Sequence, residues 1–302
     1  AKLGFSVASS LFDLKEGERT VTLKITFNKN ATQKLQNLSK EDIENNIKVL
    51  CSGEKEWLSG IALKCIDRTE NQLELSFTLF KHQPAVVKYN KEVHAEAFQT
   101  DLPVVRLMIE GEKYYEMYEA LSEKSLKNIE ISVDVKGVKS VQIENDNGAL
   151  NSEKPYFPFT AQPVTGSNFY IRCPEMFSKK WKKADITINW KNAPDSIKEL
   201  YDGYVISPNQ NISLKEFEAA ERPSIVNDDH YFKADTALLE KEIWYTKAQD
   251  IDVFKKVDGA YKTLFSVNSG ANEPGTAGAI RVTLKQSSLQ DVYPKLYTLA
   301  LS

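Results

Sequence analysis

The sequence predicts a mostly β, multidomain protein of β-sandwich-like units with a few short helices. Apolar residues recur at every second position in several runs of strand length, a period that lines one face of a pleated strand. Aromatic residues are plentiful, with 13 Tyr and 14 Phe, and they suit the half-buried surface of a sheet. At 302 residues the chain exceeds the usual span of one hydrophobic core, so two or three units are expected.

The first unit is expected at about 1–100, a β-sandwich domain with one inserted helix. Phe5 to Phe12 is a mixed apolar run, and Glu16-Gly17-Glu18 supplies a turn. Val21, Leu23, Ile25 and Phe27 then alternate against Thr20, Thr22, Lys24 and Thr26. Ser39-Lys40-Glu41-Asp42 resembles a capping box and opens a helix to about Ile47. Strand patterns resume at Ile47 to Cys51, at Gly60 to Ile66, and at Leu73, Leu75, Phe77 and Leu79. Residues 101–126 read as a connecting strand and helix. Tyr114, Met117, Tyr118 and Leu121 fall at helical spacing, a stripe that packs against the next sheet.

A second β-domain is expected at 127–205. Ile129, Ile131, Val133 and Val135 alternate, Lys136-Gly137 turns, and Val138 to Ile143 continues. Asn145-Asp146-Asn147-Gly148 is a tight-turn signal, because Asn and Gly accept positive φ cheaply. Phe169 to Arg172 and Ile186 to Trp190 read as strands, and Asp195 to Tyr204 as a short helix. Residues 206–302 then read as a long loop to about 230 and a C-terminal α+β portion that completes or packs on the second domain. Strands are expected there at Glu242 to Thr246, Lys262 to Val267 and Ala279 to Lys285. A loop is expected at Ser269 to Gly278 and a helix at Val292 to Leu301.

Charge narrows the function. Lys and Arg number 39 against 42 Asp and Glu, a net charge of −3. The densest basic cluster, Lys179, Lys180, Lys182 and Lys183 around Trp181, reads as a solvated turn before a strand, so no nucleic-acid partner is expected. No stretch approaches the roughly 18 consecutive apolar residues of a membrane span. The N-terminus has neither the charged start and apolar block of a signal peptide nor an initiator Met. The sequence is therefore expected to begin within a longer natural chain or after a removed segment. Cys51, Cys65 and Cys173 form no metal or redox spacing; Cys51 and Cys65 can pair only across a hairpin. A sparse, odd count fits free thiols in a reducing compartment.

No catalytic constellation emerges, and neither an enzyme nor a cofactor is expected. His82, His94 and His230 lie far apart, in no metal-ligand spacing. Gly275-Thr276-Ala277-Gly278 lacks the strand-to-helix context of a phosphate cradle and reads as a flexible loop. Asp228 with Asp229, or Glu144 with Asp146, offers paired carboxylates, but a glycosidase needs them across a cleft at a set separation. Trp57, Trp181, Trp190 and Trp244 suit a sugar platform in principle and core or interface anchors more often.

The most informative stretch is KPYFPFTAQPVTGSNFYIRCPEMFSKKW, residues 154–181. Pro155, Pro158, Pro163 and Pro174 fix backbone angles and remove donors, which excludes a regular central strand across them. Tyr156, Phe157, Phe159, Phe169, Tyr170 and Phe177 are costly to leave in water. Two readings fit: a rigid aromatic loop that docks a partner or neighbouring domain, or a loop folded over its own sandwich core.

Several blocks carry a family resemblance. They are GFSVASSLFDLKEGERTVTLKITF near the start, SGEKEWL at 52–58, residues 133–181, ITINWKNAP at 186–194 and GAIRVTLKQSSLQDVYPKLY at 278–297. The most specific part joins Asn145-Asp146-Asn147-Gly148, Pro155 with Phe157-Pro158-Phe159, Gln162-Pro163, Gly166 to Ile171 and Glu175 to Lys180. In this order they resemble baseplate J-like wedge proteins of phage-tail-derived contractile injection systems and related contractile phage tails. The chain departs from the pattern at Tyr156 and at Arg172-Cys173, and it resembles a central piece of longer members.

The resemblance implies a structural virion component that works by protein–protein interaction. Copies would form a ring with other baseplate proteins (wedge, spike or hub, and sheath), assembled in the bacterial cytoplasm and then carried in the phage-tail-like particle. It implies no reaction; interfaces would hold a ready state until contraction is released. The structural or interface residues expected on this basis are Pro155, Phe157, Phe159, Pro163, Gly166, Phe169, Tyr170, Phe177, Trp181 and Trp190. The alternative is a secreted carbohydrate-binding or adhesin-type β-sandwich, which would present coplanar exposed aromatics. A hydrolase on a β-scaffold would instead need convergent carboxylates with perturbed acidity.

Overall fold

A computed structural model describes residues 3–28, 34–95, 98–122, 124–196, 232–270 and 273–285. The protein is mostly β, with 50% strand, 13% helix and four antiparallel sheets. Residues 1–139 and 140–302 form two compact units. No helix among the described residues is long and apolar enough to cross a membrane.

The first unit comprises β1 (Gly4–Ala8), β2 (Glu18–Phe27), α1 (Lys34–Asn37), α2 (Lys40–Asn46), β3 (Ile47–Ser52) and β4 (Trp57–Ile61). These are followed by β5 (Leu63–Thr69), β6 (Gln72–Leu79), α3 (Lys91–His94), β7 (Val104–Ile109), α4 (Tyr114–Ser122) and β8 (Leu126–Lys136). One sheet has the order β1-β7-β3-β4 and the other β5-β6-β2-β8. Their inner faces share one core, in which Val49, Cys51, Val105 and Leu107 of the first meet Val21, Leu23, Leu75 and Phe77 of the second. The alternation read from β2 takes this form: Val21, Leu23 and Ile25 are buried while Thr20, Thr22 and Lys24 face outward. Each such side chain removed from water contributes about 1.5–3 kcal/mol. On the outer face Thr20 and Thr78 hydroxyls lie 3.0 Å apart across the strands, a cross-strand pair of the kind that fixes register.

The capping box at Ser39 forms, with the Asp42 N–H donating to Ser39 Oγ and the Ser39 N–H donating to Asp42 Oδ2, both at 2.9 Å. α4 seats Met117 and Ala120 in the core of this same unit and leaves Tyr118 exposed.

Strand pairing differs from the sequence reading in three places. The run Gly60 to Ile66 is two strands in different sheets, separated by Ala62 alone: Val49 pairs with Ile61, and Leu63 pairs with Phe77. β7, read as part of a connector, is an inner strand bonded to β1 and β3. β8, whose alternation suggested a second unit, pairs with β2 from Glu18–Lys136 to Phe27–Leu126. Pairing of this kind is set by tertiary packing, which a local period does not encode.

The second unit comprises β9 (Gln142–Asn145), β10 (Gly148–Leu150), β11 (Asn168–Arg172), α5 (Pro174–Phe177), β12 (Lys183–Asn189) and β13 (Lys233–Glu240). It continues with β14 (Ile243–Asp252), β15 (Lys255–Val257), β16 (Ala260–Asn268) and β17 (Ala277–Leu284). A six-stranded sheet of order β10-β9-β11-β17-β13-β14 and a three-stranded sheet of order β12-β16-β15 enclose one core. The strand expected from Val138 starts only at Gln142. The helix expected over 195–204 falls mostly, and the loop over 206–230 and helix over 292–301 wholly, outside the described residues.

Candidate interface around the proline-aromatic segment

The segment 151–181 crosses the second unit as a loop, then β11, then α5. Residues 151–167, which carry three prolines, form no strand beyond a single bridge at Tyr156, and β11 enters the sheet directly after them, between β9 and β17. The loop is fastened at both sides. Asn145 Nδ2 donates to the Phe157 carbonyl at 3.0 Å. Asp146 accepts from the Asn168 backbone N–H at 2.8 Å and from its side-chain amide at 3.1 Å. The Gly166 N–H donates to the Leu284 carbonyl at 2.9 Å, and the Leu284 N–H returns a bond to the Ser167 carbonyl at 3.0 Å. Gly166 has φ +89°, with open space around the site of a Cβ. Its requirement is therefore backbone conformation, which other L-residues adopt only with strain.

The expected residues divide into an inner and an outer set. Phe159, Pro163, Phe169, Phe177 and Trp190 are buried. Phe159 meets Phe169 edge-on, with centroids 6.3 Å apart. Trp190 lies 4.6 Å from the Phe254 ring, and its indole N–H donates to the Val253 carbonyl at 3.0 Å and Thr263 Oγ1 at 2.9 Å. Trp181 is half-buried against Phe177. Tyr156 stacks on Phe169, and burial pushes its hydroxyl up to about 12. Pro155 and Gly166 are exposed, Phe157 is 37% exposed and the neighbouring Val164 60%. Tyr170 points to the opposite face of β11 from Phe169 and meets Trp244. Inner aromatics thus anchor the loop on its own core while Phe157 and Val164 project from it. The basic cluster is only partly solvated, because Lys179 bonds Glu175 at 3.2 Å with both side chains mostly buried.

Two further clusters had no local signal in the sequence. In the first unit, Trp57, Tyr89, His94 and Phe98 pack ring against ring, and Arg106 lies over Trp57 at 5.1 Å. His94 is buried, with Nε2 2.9 Å from the Gly53 carbonyl and Nδ1 2.8 Å from the Asn90 carbonyl. These bonds tie the turn after β3 to α3. An open cleft of about 430 Å³ beside it carries Asp13, Lys15, Glu54 and Lys88. On the second unit, Arg281 lies 4.4 Å from the Trp244 ring. Residues 57 and 106 are brought near each other through one sheet and 89 and 94 by the loop and α3 that pack on it, whereas 170, 244 and 281 meet through sheet pairing.

Among the described residues no group of three or more His, Cys, Asp or Glu is placed to hold a metal. The three cysteines are free and buried. Burial pushes the Cys51 thiol up to about 12 and raises Cys65 as well, which suits packing groups better than nucleophiles.

A search of curated proteins found no match. Residues 2–221, nearly three quarters of the chain, match the family described as "Baseplate protein PVC11-like". The matched region covers the whole first sandwich and the fastened proline-aromatic segment, and the chain belongs to this family of contractile injection system baseplate proteins.

Proposed function

We propose that the chain is a wedge-type structural component of the baseplate, acting through subunit and domain interfaces and making or breaking no bond. Family membership carries this reading. Copies surround the spike and tube hub beneath the sheath, assemble in the bacterial cytoplasm and leave as part of the particle. The inner aromatics hold the segment 154–181 in one conformation, and Phe157 and Val164 offer apolar contacts at its crest. A pre-organised apolar contact loses little ordering entropy on association. The switch from ready to contracted then needs two packings of similar free energy.

Cryo-electron microscopy of the assembled particle tests the reading. Several copies ringed around the hub below the sheath are expected; density in the tube or in a tail fibre alone would refute it. Phe157→Ser with Val164→Ser is expected to leave the purified chain folded while lowering particle yield.

A further inference from the structure

The outer face of the six-stranded sheet holds a cation, Arg281, with no counter-ion among the described residues. Alternation along β17 buries Ile280, Val282 and Leu284 and turns Arg281 outward. Arg281 sits opposite Tyr170 on one side and Ala237 on the other. Trp244, paired with Leu239, reaches across so that its ring lies 4.4 Å from the Arg281 guanidinium carbon and 6.0 Å from Tyr170. The guanidinium thereby lies over the Trp244 ring. Its Nε is shielded from water and has no hydrogen-bond partner, and among the described residues Arg281 makes no ion pair. Charges nearby are already used: Glu144, across from Tyr170, pairs with Arg172 at 3.6 Å. Asp235 and Asp250 pair with Lys285 at 3.4 and 2.8 Å. Among the described residues the Arg281 guanidinium is therefore left unneutralised on this face, beside Trp244 and Tyr170 and next along the register to the Leu239–Ala279 pair.

We propose that this face docks a carboxylate-bearing segment of another protein of the same particle, with an Asp or Glu side chain meeting the Arg281 fork and an apolar neighbour lying on Trp244. A guanidinium presents parallel N–H donors that match a carboxylate in two bonds. Arginine and tryptophan at the centre of a patch are the residue types on which interface energy concentrates. Stacking on Trp244 fixes the fork before the partner arrives, so little rotamer freedom remains to be lost. The docking partner rests on the baseplate reading above; the carboxylate chemistry of the face does not.

Two measurements separate them. In the isolated full chain, side-chain NMR observes the Arg281 Nε–H and the Trp244 indole N–H during titration with a short peptide of alternating Leu and Glu, and with its Gln counterpart. Both signals are expected to move with the Glu peptide, with affinity at least about tenfold weaker for the Gln peptide and for Arg281→Met read at the indole, a difference of about 1.4 kcal/mol. Equal response to both peptides, or none, overturns the proposal. In assembled particles, a photo-crosslinking residue at position 170 is expected to capture an acidic stretch of a different baseplate protein. Capture of a second copy of this chain, of a peptide without Asp or Glu, or of nothing while the chain is present in the particle overturns the docking. Absence of the chain from particles instead defeats the baseplate reading and leaves the peptide result standing.

Discussion

Arg19 gives the sharpest test of how the first sandwich is held. Its side chain is fully buried, and it donates to five backbone carbonyls. Nε reaches Gly17 at 3.0 Å; Nη1 reaches Leu14 at 3.2 Å and Pro84 at 2.9 Å; Nη2 reaches Phe80 at 2.7 Å and Gln83 at 2.8 Å. One guanidinium thus ties the turn before β2 to the loop after β6. In Arg19→Met the apolar stem is nearly kept and all five bonds are lost. The Leu14 carbonyl keeps a bond from the Val86 N–H, and Phe80 keeps one from the Gln83 N–H. The carbonyls of Gly17, Pro84 and Gln83 bear most of the loss, at about 1–3 kcal/mol each if nothing replaces the donor. Relief from burying a charge offsets part of this, and water can enter beside the exposed Phe80.

The net expectation is a loss of about 3 kcal/mol, or about 6–12 °C in Tm for a unit of this size. Hydrogen exchange on the full chain locates it. Amides of β2 and β6 should lose protection by roughly the factor that 3 kcal/mol implies, about 150-fold, while those of β13 and β17 keep theirs. Arg19→Lys, with three donors and no fork, should fall between. A loss below about 1 kcal/mol, or equal loss of protection in both units, would refute the reasoning.

Three further outcomes are expected. Trp190→Phe removes the indole bonds to Val253 and Thr263 and should cost about 2 kcal/mol in the unfolding of the second unit, with Trp190→Ala costing more. The Lys113 ammonium, 2.8 Å away, and the Ser39 N–H and hydroxyl hold the Asp42 carboxyl at about 2 instead of 3.8. Its contribution is complete above pH 3.8 and vanishes as pH falls through about 2; carboxyl NMR titration should show this, and Lys113→Met should move the midpoint upward. The Cys51 thiol, held by burial at about 12 against 9.0, keeps its proton where the unfolded chain would release it. Stability therefore declines as pH rises through 9.0, and alkylation at pH 8 should stay negligible until denaturant is added.

The sequence reading succeeded where one face of a strand is wet and the other dry. Val21, Leu23 and Ile25 against Thr20, Thr22 and Lys24 define β2 because each class has one place to go. It failed where neighbours decide. β13, KADTALLE, is rich in good helix formers, yet it lies between β17 and β14 with Ala234, Thr236 and Leu238 buried; tertiary contact overrides propensity. The passage from β4 to β5 was hidden because a corner of one residue leaves the apolar run unbroken. In the segment 154–181 the prolines and aromatics announced a fixed loop, but the division between Phe159 and Phe169 inside and Phe157 outside needs the sheet itself. Arg281 carried no local signal, since its meaning depends on Tyr170 and Trp244, distant in the chain.

The single-residue corner at Ala62 bears on how the first sandwich answers force. Ile61 and Leu63 are both buried, so the chain plunges from one layer to the other with side chains locked on each side of the crossing. Sliding the layers past each other would stretch that corner before any loop could take up slack. A push delivered to one layer should therefore pass to the other as a displacement of the whole block, and any motion that accompanies contraction would have to occur outside it.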